Sequence, residues 1–210
     1  WQRWWGRSFV AGSVLSPFFL GVFAGNWLVG ADRSLTLVGL VVGVTVVVLT
    51  VVSGAAFLRL KAEEYLPEAV TDYGVRAVVG YLGAVVVTLA LLAVRLPDGL
   101  DVLLSPIVIA LVVASIGLAV GYAVAMRRDA PLAALAASGG LTYGLVAVVA
   151  VVMYPLIDPA VGATVEESIV STLPLNLMSI GAAILLPLVA TYFVVLYSAF
   201  SGPIEPGEAY

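Results

Sequence analysis

The sequence predicts an all-α membrane protein: a single domain over residues 1–210, built as a polytopic bundle of about six transmembrane helices with both termini cytoplasmic. Three observations lead there. Of the 210 residues, 62% are hydrophobic and 10% charged, whereas soluble domains carry about 25% charged residues. Six windows lack Asp, Glu, Lys and Arg, and each approaches or exceeds the roughly 20 residues of helix that a bilayer core of about 30 Å requires. Finally, blocks such as "LVGLVVGVTVVVLTVV" do not alternate apolar with polar residues, as the strands of a membrane barrel do.

The opening "WQRWWGRS" lacks the order of a signal peptide, which is basic, then apolar, then a small-residue cleavage site. It reads as an interfacial anchor, with indoles at headgroup level and arginines in water. The first residue is Trp1 rather than Met, which leads us to expect a chain excised from something longer. The first window covers 8–31. It contains Pro17 and the pair Gly21 and Gly25 four residues apart, followed by the lone amide Asn26.

The second window, 34–58, is rich in valine and glycine. β-branching does not veto a helix in lipid, where every backbone group must find its partner internally. Next comes "RLKAEEYLPEAVTDYGVR", which mixes Glu63, Glu64, Glu68 and Asp72 with Arg59, Lys61 and Arg76. It reads as a solvated loop or short surface helix; the functional alternative is a proton-collecting surface or a partner-docking patch. The third, fourth and fifth windows cover 77–94, 102–126 and 130–157. The sixth runs over 168–203, with its helix at about 172–201. Pro106, Pro155 and Pro187, like Pro17, are expected to break local helix bonds that neighbours must then satisfy.

Basic residues orient the spans. Arg3, Arg7, Arg59, Lys61, Arg76, Arg127 and Arg128 fall in the N-terminal segment and in the second and fourth connections, whereas Arg33 and Arg95 alone fall in the opposite set. The excess of Lys and Arg on cytoplasmic loops assigns the first set, and with it both termini, to the cytoplasm.

Composition also excludes chemistry. There is no cysteine and no histidine, so the commonest haem, zinc and copper ligands and any iron–sulfur cluster are missing. The net charge of −4 and isoelectric point near 4.6 leave no basic face for nucleic acid. Without strands, no phosphate-binding loop of the strand-to-helix type is expected. The windows hold no Asp, Glu, Lys or Arg, so the chain lacks the intramembrane relay of a self-sufficient proton-coupled transporter. Tyrosine is no substitute, because a phenol ordinarily ionises near pH 10. Met126, Met153 and Met178 read as flexible packing residues rather than axial ligands. Function is therefore passive, or the chemistry sits in a partner.

What remains are packing devices. Small residues let membrane helices approach closely, and Ser, Thr and Asn hydrogen-bond between them. Gly21 and Gly25 form one such pair, with Asn26 beside it; Gly39 and Gly43 form another. Asn26 is assigned as a hydrogen-bonding partner for a neighbouring helix, one that this chain itself need not contain.

Three stretches together resemble subunit II of the cytochrome bd-type quinol oxidases. "RSFVAGSVLSPFFLGVFAGNWLVG" is similar to that subunit's fourth transmembrane segment, with its Gly-Ser start, mid-span proline and GxxxGN ending. "SGAAFLRLKAEEYLPEAV" is similar to a helix end and loop of the family, through Gly54, Ala55, Leu58, Lys61, Glu63 and Leu66. "LPLVATYFVVLYSAFSG" resembles its last helix, with Leu186, Pro187, Val189, Tyr192, Tyr197, Phe200 and Gly202 on the pattern. Val195 stands where the family commonly has tryptophan, and the usual basic exit reads Phe200, Ser201, Gly202, Pro203.

The resemblance implies nine helices in the family, arranged as two four-helix bundles and a peripheral ninth. This chain then carries the fourth to ninth helices and lacks the first three, with their acidic residues. It further implies a haem-free subunit packed against a haem-bearing subunit I, which holds the haems and the quinol site and reduces dioxygen to water. Such a chain lies in the cell membrane, and its assembly residues are Gly21, Gly25, Asn26, Pro187 and Tyr192. It has no catalytic, cofactor or metal residues of its own. The alternatives are a small-solute permease or channel lined by Ser, Thr and Tyr, and an orphan membrane scaffold.

Overall fold

A computed structural model describes residues 1–61, 67–169 and 171–199. The chain runs α1 (Gln2–Leu28), α2 (Leu37–Lys61), α3 (Pro67–Arg95), a short α4 (Gly99–Leu103), α5 (Pro106–Arg127), α6 (Pro131–Met153), a hairpin of β1 (Leu156–Asp158) and β2 (Ala163–Thr164), and α7 (Thr172–Ala199). Six of these helices are long and apolar enough to cross a membrane, and the protein is an all-α polytopic membrane protein.

The helix ends have local causes. The N-terminal anchor segment is not separate from the first span, because α1 already begins at Gln2. It stops at Leu28, two residues before Gly30 turns at a φ of +55°, a conformation open to a residue without Cβ. The charged segment after α2 is helical from Pro67 and continuous with the third span; Glu63 and Glu64 lie outside the described residues.

Two prolines act differently from expectation. Pro106 opens α5 at its first turn, with the Ser105 hydroxyl accepting from the Val108 amide at 3.5 Å. A proline there loses no helical bond, so it starts a helix rather than kinking one, and α4 stands apart from α5. Pro155 lies beyond α6, which ends at Met153 rather than at residue 157. The residue before a proline is pushed out of the α region, and Tyr154 is extended at φ −61°, ψ 135°. Pro17 and Pro187 do lie inside helices.

The hairpin corrects the expectation that the chain has no strands. Leu156 pairs with Thr164 and Asp158 with Ala163, antiparallel, on either side of the turn that contains Gly162.

Helices α2, α3, α5 and α6 form a four-membered ring, each packed on the next, and α1 lies along the outside of α2. Two packed clusters form between the helices. One holds Val52, Val78, Tyr81, Tyr122, Met126 and Leu141. The other, toward the hairpin, holds Leu28, Val38, Val42, Leu92 and Met153. The α7 helix has an exposed surface along its described length, with only Gly181 and Leu196 half-buried. Many large apolar side chains face outward, among them Phe19, Phe23, Val94 and Leu186. Water would make such a surface an aggregation liability, whereas acyl chains solvate it.

Candidate helix-packing site

Helix α1 approaches α2 closely, backbone to backbone. A Cβ placed on Gly21 would lie 2.7 Å from Gly43 Cα, and one on Gly25 would lie 2.7 Å from Gly39 Cα. The two glycine pairs thus face each other in antiparallel register. Dispersion between backbones at such range replaces the hydrophobic drive that lipid cannot supply.

Asn26 closes the outer end of this contact. Its Nδ2 donates to the Ser34 carbonyl at 2.8 Å, and its Oδ1 accepts from the Thr36 hydroxyl at 2.6 Å. Thr36 in turn accepts from the Gly39 amide at 3.0 Å, the geometry of a helix N-cap. One side chain on α1 therefore holds both the connection and the first turn of α2. Its partners belong to this same chain.

Several further hydroxyls in the spans bond to backbone carbonyls or to one another. Thr45 and Thr88, both buried, meet at 3.1 Å between α2 and α3, and each also bonds a carbonyl one turn back, Val41 and Ala84. Ser115 donates to Leu111 and Thr142 to Ser138 in the same way. The Tyr122 hydroxyl crosses from α5 to the Val52 carbonyl of α2 at 2.8 Å.

At one end of the bundle Arg59, 13% exposed, reaches Asp129 of the α5–α6 connection at 2.6 Å. This ion pair puts the α2–α3 and α5–α6 connections on one side of the protein. A Cβ on Gly30 would lie 2.9 Å from the Ala160 nitrogen, which puts the α1–α2 connection and the hairpin together on the other. Just after the hairpin, Glu167 accepts from both the amide and the hydroxyl of Thr164, at 3.1 and 3.0 Å. These bonds, the amide first, hold its carboxyl below the usual range.

Of the residues expected to mediate assembly, Gly21, Gly25 and Asn26 come together at the α1–α2 contact. Pro187 and Tyr192 lie on α7, away from it; Tyr192 is 60% exposed and touches Phe193 edge-on. The sequence reading missed Thr36, although a threonine just before an apolar run is a helix-start signal. It also missed the Thr45–Thr88, Tyr122–Val52 and Arg59–Asp129 contacts, which have no local signal because their partners are 43 or more residues apart.

Among the described residues no group of His, Cys, Asp and Glu could hold a metal ion. Met126 is buried in one cluster and Met153 in the other, and Met178 is 70% exposed on α7. The fold and its contacts define a multi-pass helical membrane protein. A family model described as cytochrome bd terminal oxidase subunit II matches residues 1–200, and the chain belongs to that family. Comparison with curated proteins found no match.

Proposed function

We propose that this chain is the haem-free accessory subunit of a bd-type quinol oxidase, in which a haem-bearing partner subunit oxidises quinol and reduces dioxygen to water. The observation that carries the reading is the complete lack of histidine and cysteine in a chain that belongs to an oxidase family. Haem iron is most often held by His, Cys or a His and Met pair, and the methionines here are dispersed. Membership in the family supplies the oxidase context, and the packing contacts supply a role that needs no titrating group.

The test is haem stoichiometry. The complex purified through a tag on this chain should show haem spectra and quinol-dependent oxygen uptake, and the chain expressed without its partner should show no haem absorbance. Stoichiometric haem on the isolated chain would overturn the proposal.

The permease alternative needs a continuous polar track across several helices. Instead, the hydroxyls of Thr45, Thr88, Ser115 and Thr142 bond carbonyls of their own helix, and Thr45 meets Thr88 at a helix contact, an arrangement that supports the subunit reading. The same proposal assigns the Arg59–Asp129 end, and both termini, to the cytoplasm by the distribution of Lys and Arg.

A further inference from the structure

Between the two packed clusters the interior of the bundle is open. A cavity of about 620 Å³ lies between α1, α2, α3, α5 and α6. Along α3 it runs from Tyr81 to Leu92, roughly 16 Å at the helical rise of 1.5 Å per residue. Its walls are almost wholly aliphatic. The hydroxyls of Thr45, Thr88, Ser115 and Thr142, which line it, are each bonded to a backbone carbonyl one turn back, and Tyr81 lines its end on α3. Those four hydroxyls present no unmet demand for a polar ligand or for water, which leaves the Tyr81 phenol as the polar group at one end of an otherwise apolar lining.

The cavity also reaches the surface at mid-span. Val86 of α3 and Ile116 of α5 line it and are 65% and 48% exposed; on the other flank Leu20 of α1 and Val146 of α6 line it and are 65% and 60% exposed. At that depth the surrounding solvent is hydrocarbon. Left empty, a void of this size forfeits the dispersion contacts of every side chain around it, and dry apolar cavities take up apolar molecules.

We propose that this cavity is a binding site for one acyl chain of a membrane lipid, which enters laterally and completes the packing between the two clusters. The elongated shape, the aliphatic walls and the lateral openings fit a chain rather than a compact polar solute. The inference concerns the interior of this chain alone and does not depend on where the haems reside.

The test compares the complex purified in mild detergent, with native residues and with Val149→Phe or Thr142→Leu, two substitutions that fill the cavity from α6. After exhaustive detergent exchange, lipid analysis should find one tightly retained phospholipid per native chain that both filled variants lose. Adding back phospholipid should restore the melting temperature of the delipidated native complex and leave a filled variant unmoved. Because the two substitutions differ in exposure, misassembly of one still leaves the other to decide. Equal lipid retention in native and filled proteins would overturn the proposal. So would delipidation without any change in melting temperature. A prenyl quinone recovered at one per chain and lost in Tyr81→Phe would also overturn it, since the Tyr81 hydroxyl would then be donating to a quinone carbonyl in a site that recognises a head group and not a chain alone.

Discussion

The Thr36 hydroxyl donates to Asn26 Oδ1 at 2.6 Å while accepting from the Gly39 amide at 3.0 Å. Through this relay the end of α1 positions the start of α2, so that Gly39 arrives opposite Gly25. Asn26→Leu leaves the Thr36 hydroxyl and the Ser34 carbonyl without their partner. We expect a loss of about 1 to 2 kcal/mol in stability, read as a lower melting temperature of the purified complex. Turnover per assembled complex should stay at the native level; an intact complex with lost turnover would refute this packing role.

Gly25→Val tests the close approach itself. The new side chain would meet Gly39 and Val42 within 3.0 Å, and overpacking of this kind costs about 1 to 3 kcal/mol. Gly12→Ala is the matched control, since a Cβ there meets nothing within 4 Å. Melting curves should separate the two variants clearly.

The Arg59–Asp129 pair joins a largely buried cation to an anion 72% exposed. Such a half-exposed pair contributes about 1 kcal/mol at most. A double-mutant cycle with Arg59→Ala and Asp129→Ala should return a coupling energy of that order, shrinking as salt is raised. A coupling near zero at low salt would show that the pair contributes nothing to joining the two connections.

Topology is open to cysteine labelling, because the chain contains no cysteine. Single substitutions Ala130→Cys and Ser168→Cys lie at opposite ends of the bundle. In intact cells a membrane-impermeant maleimide should label residue 168 and should reach residue 130 only after permeabilisation. The reverse pattern would invert the proposed orientation.

Glu167 gives a pH signature. Its carboxyl is held below the usual range by the Thr164 amide and hydroxyl, so the ionised form is the one the fold favours. That stabilisation is fully present above the ordinary carboxylate range and is lost as pH falls through the lowered value. Hydrogen exchange at the Thr164 amide should therefore accelerate relative to neighbouring amides on acidification. Glu167→Gln should abolish the transition.

The six spans were legible because lipid enforces a simple rule: about 20 residues without charge, all with internal backbone bonds. Helix ends were less so. The third span begins ten residues before its apolar window, because Glu68, Asp72 and Arg76 continue the same helix. The fourth begins and the fifth ends where proline chemistry dictates, at Ser105 and Tyr154. An apolar window cannot register either effect, since neither alters hydropathy. The hairpin, with strands of three and two residues, lies in a segment with no strand-length alternation, and it forms against the turn at Gly30.

Composition by itself determined that the protein crosses the membrane as helices and that it brings no histidine or cysteine to any redox chemistry, because both follow from which residue types are present. Spacing marked Gly21 with Gly25 and Gly39 with Gly43 as small-residue pairs. Only the tertiary structure decided that these pairs meet each other, that Asn26 turns inward to Thr36, and that Tyr122 caps Val52. It alone left α7 apart from the ring and an apolar cavity between the two packed clusters. Those outcomes depend on which helix faces meet and at what register, and in a chain apolar on nearly every face the hydropathy pattern carries no record of that choice.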